Sequence, residues 1–232
     1  AQYNNATSNI VVDLAAGTAV GGADVGSDIL ISIERVHGGS GNDTMSGTTG
    51  ADLFGGNGGS DTLYGLDGDD NLFGDSGNDI IDGGGGTGDT ASFNYASGSV
   101  FVDLAAGTAT GADGNDTLIG IESAVGGEFN DTIDGDAGAN FLAGLGGYDT
   151  LRGHDGNDTF RHDSGNDIFD GGVGYDLVRY FETLGNFIVD LDAGTASGAD
   201  GPDVLISIEN AYGSNTGNDT IFGDAGMNTL WG

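Results

Sequence analysis

Between Gly38 and Asp82 the chain reads GGSGNDTMS, GTTGADLFG, GNGGSDTLY, GLDGDDNLF and GDSGNDIID, five consecutive nonapeptides in one frame. From Gly126 to Arg179 the frame returns six times, as GGEFNDTID, GDAGANFLA, GLGGYDTLR, GHDGNDTFR, HDSGNDIFD and GGVGYDLVR. Gly holds positions 1 and 4, an acid position 6, and a large apolar residue position 8. A period of nine fits neither a helical turn nor a hairpin alone. It fits a strand of about three residues followed by a Gly-rich turn, where glycine supplies positive φ. Position 8 (Met45, Phe54, Leu63, Leu72 and Ile81, then Ile133, Leu142, Leu151, Phe160, Phe169 and Val178) gives each strand one inward side chain. Two repeats then close one 18-residue coil with two parallel sheets, and successive coils stack about 4.8 Å apart. Each coil buries its apolar row only against its neighbours, so stability accumulates along the stack. Helix is a poor alternative, because glycine costs about 1 kcal/mol per helical residue against alanine and Asp is also unfavourable. The fold expected is all-β: a right-handed parallel β-roll or β-helix solenoid, with irregular β inserts between the repeat arrays.

A longer repeat surrounds the arrays. Val12-Asp13-Leu14-Ala15-Ala16-Gly17-Thr18 recurs from Val102 to Thr108 and, with changes, from Val189 to Thr195. Ile33-Glu34 recurs as Ile121-Glu122 and Ile208-Glu209, and Asn42-Asp43-Thr44 recurs twice at steps of 88 residues. The segments 9–14, 99–104 and 186–191 alternate like half-buried strands. Segments 29–33, 118–121 and 204–208 are expected to be their partners, in larger and less regular coils of the same stack. The expected organisation is a β insert over 1–37, an array over 38–92, inserts over 93–125 and 180–213 flanking a second array over 126–179, and a truncated third array over 214–232.

Composition narrows the function. Asp and Glu number 37 against four Lys and Arg, for a formal charge of −33, and glycine contributes 49 of 232 residues. So anionic a chain lacks the cationic footprint of a nucleic-acid binder, and an anionic membrane surface is an equally poor partner. With no Cys, disulfides and thiolate zinc sites are out of reach. No apolar run approaches the roughly 18 residues of a membrane span. No cleavable signal peptide opens the chain, and Ala1 is not an initiator Met, so the sequence reads as a processed chain or a piece of a longer one.

The remaining partner for so many carboxylates is a cation. Position 6 carries Asp43, Asp52, Asp61, Asp70, Asp79 and, after an insertion, Asp89; in the second array it carries Asp131, Asn140, Asp149, Asp158, Asp167 and Asp176. With two turns per coil, Asp43, Asp61 and Asp79 line one edge and Asp52, Asp70 and Asp89 the other. Asp131, Asp149 and Asp167 repeat the first edge, and Asn140, Asp158 and Asp176 the second. Like charges about 5 Å apart in a partly dry turn repel by several kcal/mol per pair. A divalent ion between adjacent turns removes that cost. The donors are all oxygen and the loops adaptable, which suits Ca²⁺ better than Mg²⁺. Same-edge Asp pairs number seven, with an eighth, weaker site between Asn140 and Asp158, so about seven or eight Ca²⁺ ions are expected.

The frame GGxGxDxUx, with U large and apolar, resembles the nonapeptide of the RTX (hemolysin-type) family, a calcium-binding parallel β-helix repeat. The resemblance implies a calcium-dependent β-roll secreted by a type I system and folded outside the cell. Asn140 and Asn228 at position 6, His162 at position 1, and Glu128-Phe129 in the repeat from Gly126 depart from the pattern.

Asp116 and Asp203 repeat the turn motif inside the inserts, either as isolated calcium ligands or as caps of their own turns. Asp219, in the third array, needs a stacked partner turn. His37, His154 and His162 share no catalytic or zinc spacing and read as solvated turn residues. Arg152, with Asp134 and Asp170 eighteen residues to either side, predicts an Asp–Arg–Asp ladder across coils. Tyr3, Tyr95 and Tyr180 are expected to pack ahead of the insert strands, and Trp231 to cap the stack or contact another subunit. The Asn-Asp-Thr sequons fall in the turn motif, which explains them without glycosylation. No catalytic constellation is visible. The expected function is an extracellular calcium-binding structural module that folds after secretion: a stalk, matrix or surface-layer element capable of head-to-tail self-association. The alternative is a non-catalytic secretion and folding module of a secreted enzyme such as a protease, lipase or epimerase; a glycan partner is a third, weaker reading.

Overall fold

The computed structural model describes residues 1–180 and 185–232; residues 181–184, within the third expected insert, lie outside the described residues. Every regular element among the described residues is a strand, and most are three residues long. Among the described residues no helix is long and apolar enough to cross a membrane. The chain divides into two compact units, Ala1–Ser97 with Ala106–Ser123, and Gly98–Ala105 with Ala124–Gly232.

In the first unit, the strands Val11–Asp13, Thr44–Ser46, Thr62–Asp67, Ile80–Gly85 and Gly114–Ile119 form one parallel ladder. Its register aligns Val12, Met45, Leu63, Ile81 and Leu118. A second parallel ladder aligns Val36, Phe54, Leu72 and Ala91. Successive array strands sit 18 residues apart, so two nonapeptides make one coil, as the period demands. The second unit repeats the design. Val102, Ile133, Leu151, Phe169 and Leu205 share one row, and Leu142, Phe160, Val178, Ala211 and Leu230 the other. The position-8 side chains of both arrays are buried, which makes them the core of a parallel β-roll. Within the arrays, position-4 glycines such as Gly59, Gly68, Gly77 and Gly156 turn the chain at left-handed φ. Gly59 (φ 117°) faces the carbonyl of Gly41 one coil back, so closely that a Cβ there would overlap it.

The inserts differ from the larger coils expected. They are antiparallel meanders that reverse the direction of stacking. In the third insert, Ile188–Asp190 pairs antiparallel with Thr195–Gly198, which pairs antiparallel with Gly201–Ile206. The first of these strands runs parallel to Thr220–Phe222 of the following array, and the last runs parallel to Ile168–Asp170 of the preceding one. The chain therefore jumps ahead by two strands and folds back before resuming. The first insert shows the same reversal through Val11–Asp13, Thr18–Val20 and Ser27–Ile29. Its third strand precedes the 29–33 expectation, and Ile29 and Ile31 are largely exposed. Alternation marked the strands Val11–Asp13, Val100–Asp103 and Ile188–Asp190 correctly as half-buried. It carries no information on whether a neighbour runs parallel or antiparallel.

Candidate functional site

Position 6 immediately precedes each strand, so strand register fixes the acids in columns. The Asp43 N–H donates to Asp61 Oδ1 (2.7 Å), that of Asp61 to Asp79 Oδ1 (2.7 Å), and that of Asp79 to Asp116 Oδ1 (2.9 Å). On the other edge Asp52 donates to Asp70, Asp70 to Asp89, and Asp89 to Glu122 Oε2 (3.0 Å). In the second unit the chains of donation run Asp131, Asp149, Asp167, Asp203 and Asn140, Asp158, Asp176, Glu209. The N–H groups of Ile10, Val100 and Phe187 donate to the head of a column, at Asp43, Asp131 and Asp219. Except for the half-buried Asp219, every position-6 acid or amide of these columns is buried.

The second carboxylate oxygen divides the columns into two kinds of member. At the heads it is closed by the position-2 N–H of its own turn: Gly39 to Asp43 (2.9 Å), Thr48 to Asp52 (2.7 Å), Gly127 to Asp131 (2.6 Å) and Ser214 to Asp219 (2.8 Å). Asn140 accepts the Asp136 N–H in the same way. Further along, Oδ2 of Asp61, Asp70, Asp79, Asp89, Asp149, Asp158 and Asp176 is buried with no hydrogen-bond partner. Each belongs to a turn whose position-1 glycine lies against it. A Cβ on Gly56 would fall onto Asp61 Oδ2 and reach 2.8 Å from the Gly74 carbonyl of the next coil. Glycine thus lets a carboxylate oxygen and a neighbouring carbonyl share one small space.

Such carboxylates cannot easily stay charged alone. Burial, reinforced by the flanking acids, pushes Asp61, Asp79 and Asp149 up to about 7. Asp70, Asp116, Asp167 and Asp176 rise to about 6, again chiefly through burial. The backbone N–H bond each receives offsets only part of that rise. Unpartnered buried oxygens beside carbonyls, with no nitrogen or sulfur donor, fit a hard divalent cation.

Asp116 and Asp203 are neither isolated ligands nor simple turn caps: they are the last members of the Asp43 and Asp131 columns. Glu122 and Glu209 close the other two columns, a role the recurring Ile-Glu pair did not disclose. His154 lies on an exposed turn, whereas His37 corrects the turn reading: it is half-buried at the end of the strand Arg35–His37. His162 corrects the solvated reading, being fully buried. Of the tyrosines, Tyr180 packs fully inside, Tyr3 is half-buried and donates to Asp28 (3.0 Å), but Tyr95 stays 75% exposed against Phe73. Only the Asp134 half of the expected ladder forms, Arg152 Nη1 lying 2.8 Å from Asp134 Oδ1. Trp231 stands edge-on to Tyr212 at 4.2 Å between ring centroids.

A family model for the RTX calcium-binding nonapeptide repeat, four copies long, matches residues 37–54, 55–88, 119–151, 137–169, 149–178 and 214–232, more than half of the chain. No curated protein matches it.

Proposed function

Because the chain belongs to the RTX calcium-binding nonapeptide repeat family, we propose that it is an extracellular structural module whose two units fold when calcium fills the turns between successive coils. The observation that carries this reading is the row of seven buried Oδ2 atoms without partners. The proposed ligands are the carboxylates of Asp43, Asp52, Asp61, Asp70, Asp79, Asp89, Asp131, Asp149, Asp158, Asp167 and Asp176, the Asn140 amide oxygen, and turn carbonyls. Asp116, Asp203 and Asp219 would serve at column ends. One ion for each unpartnered Oδ2 among the described residues gives about seven. A bound ion supplies positive charge that lets neighbouring carboxylates stay ionised, and its binding free energy becomes folding free energy. Low calcium would then keep the chain unfolded and millimolar calcium outside the cell would fold it. A scaffold or stalk is the role such a module suits. Head-to-tail association is supported by the edge strand Ser27–Ile29, whose Ile29 is 82% exposed, since an open strand edge templates pairing.

Calcium titration of chelator-stripped protein, followed by far-ultraviolet circular dichroism with magnesium as control, tests the reading. A cooperative gain of β signal with calcium alone is the expected result. A chain already β-rich without calcium and indifferent to it would overturn the proposal. Light scattering and electron microscopy at the endpoint test the scaffold role, which a strictly monomeric species at high concentration would refute.

A further inference from the structure

Among the eleven nonapeptides quoted above, His162 is the one residue at position 1 that is not glycine. Its ring occupies the space that glycine elsewhere leaves beside the carboxylate column. Nδ1 lies 3.2 Å from Asp203 Oδ2 and 3.7 Å from Asp167 Oδ2, with both carboxylates and the imidazole buried. Neither ring nitrogen has a hydrogen-bond partner. Tyr180, Phe187 and Phe169 wall the ring, at 4.6, 5.5 and 6.3 Å between centroids. The Tyr180 hydroxyl donates to Asp203 Oδ2 (3.1 Å), while Oδ1 of Asp167 and of Asp203 are held by backbone N–H groups.

We propose that His162, Asp167 and Asp203 form a site for a transition-metal dication of the zinc class, chemically distinct from the all-oxygen places along the columns. An imidazole nitrogen with two carboxylates is a donor set for zinc or cobalt rather than for calcium, which takes six or more oxygens. Metal–ligand bonds of about 2.0–2.2 Å in a tetrahedron place ligand atoms roughly 3.3 Å apart. The 3.2 and 3.7 Å separations lie close to that edge, and all three ligand atoms fall within 4.8 Å of one another. Charge argues the same way. Two carboxylates, a neutral imidazole and a dication sum to zero, so the cluster can be enclosed without stranding a net charge. The Tyr180 hydroxyl orients Asp203, as outer groups commonly orient metal ligands. The chain holds its own control: in the first array Gly74 stands in the place of His162, beside the same column arrangement of Asp79 and Asp116.

The site shares Asp167 and Asp203 with the calcium columns proposed above and differs from them by the imidazole, so it is tested with a different metal. The test uses the full chain in saturating calcium, titrated with Co²⁺ as a visible-absorption probe and then with Zn²⁺ as competitor. The expected result is one tightly held Co²⁺ with tetrahedral-type bands, displaced by Zn²⁺ and not by calcium. His162→Gly, which restores the repeat glycine, and His162→Gln, which keeps most of the volume, should each weaken Co²⁺ binding on the order of 100-fold. Their calcium-dependent dichroism should be unchanged, which shows that the variants fold. Absence of Co²⁺ uptake by the wild type, or equal uptake by a folded His162 variant, would overturn the site. If the protein proved indifferent to calcium, the same titration on calcium-free protein would still decide this proposal separately.

Discussion

Acidifying the calcium-free chain from about pH 7.5 to about pH 5 should restore part of the fold that calcium removal takes away. Asp61, Asp79 and Asp149 carry folded-state values near 7 against an ordinary 3.8, raised first by burial and then by neighbouring acids. A carboxylate raised in this way adds stability below its unfolded value, and that stability is lost as the pH climbs through its folded value. Between about pH 5 and pH 6.5 these three groups alone hold up to three protons in the folded state that the unfolded chain has released. The slope is then roughly 4 kcal/mol of lost stability per pH unit, an upper figure because Asp61 and Asp79 are neighbours in one column and titrate together. Asp70, Asp116, Asp167 and Asp176, near 6, add to the effect toward the acid end. Urea unfolding of chelator-treated protein across this range, followed by circular dichroism, measures it; the sequence isoelectric point of 4.1 sets the lower limit, where precipitation intrudes. In saturating calcium the dependence should flatten, since the ion takes over the neutralising role of the proton. Calcium-free stability that stayed constant or rose with pH would refute the view that buried, unpaired carboxylates oppose the fold.

Other expectations follow from the same contacts. Asp149→Asn keeps an oxygen for the Asp131 N–H but removes the charge, so the calcium midpoint should rise several-fold; an unchanged midpoint counts against a ligand role. Gly56→Ala drives a methyl onto Asp61 Oδ2 and the Gly74 carbonyl and should cost about 1–3 kcal/mol in thermal unfolding with calcium. Gly26→Ala, where nothing lies within 4 Å, meets only the left-handed φ and should cost about 1 kcal/mol. Phe160→Ala empties a fully buried position that contacts Phe169 at 5.8 Å and should cost about 3–5 kcal/mol in calcium-saturated protein. Glu209→Ala removes the acceptor of the buried Asp176 N–H, at a cost of about 1–3 kcal/mol by urea unfolding, whereas the exposed Glu128→Ala should be nearly silent.

The repeat fold was legible because its information is local. Gly, acid and apolar residue recur at fixed offsets, every 18 residues meet the same neighbours, and one register satisfies the whole ladder. The placement of Met45, Leu63 and Ile81 in one row follows from counting, and so does the column Asp43, Asp61, Asp79. The head-of-column closure at Gly39 and Thr48 was not legible. It depends on the backbone at position 2, which takes positive φ at Asn57, Leu66 and Asp75 but not at Gly39 and Thr48, and no residue type announces that.

By itself, then, the sequence determined an all-β roll with its core at position 8 and carboxylate columns in the turns. Period and spacing are properties of neighbouring residues. Only the tertiary structure decided how the columns end and what stands beside them. The antiparallel meanders bring Asp116 to Asp79 across 37 residues and Asp203 to Asp167 across 36. They also set Glu122 and Glu209 under the opposite edges, 33 residues from their partners. His162 looks like a turn residue in the repeat, yet Tyr180 and Phe187 from the next insert enclose it. These pairings break the 18-residue rule because strand direction in an insert is set by long-range hydrogen bonding and burial. Periodicity along the chain does not encode that choice.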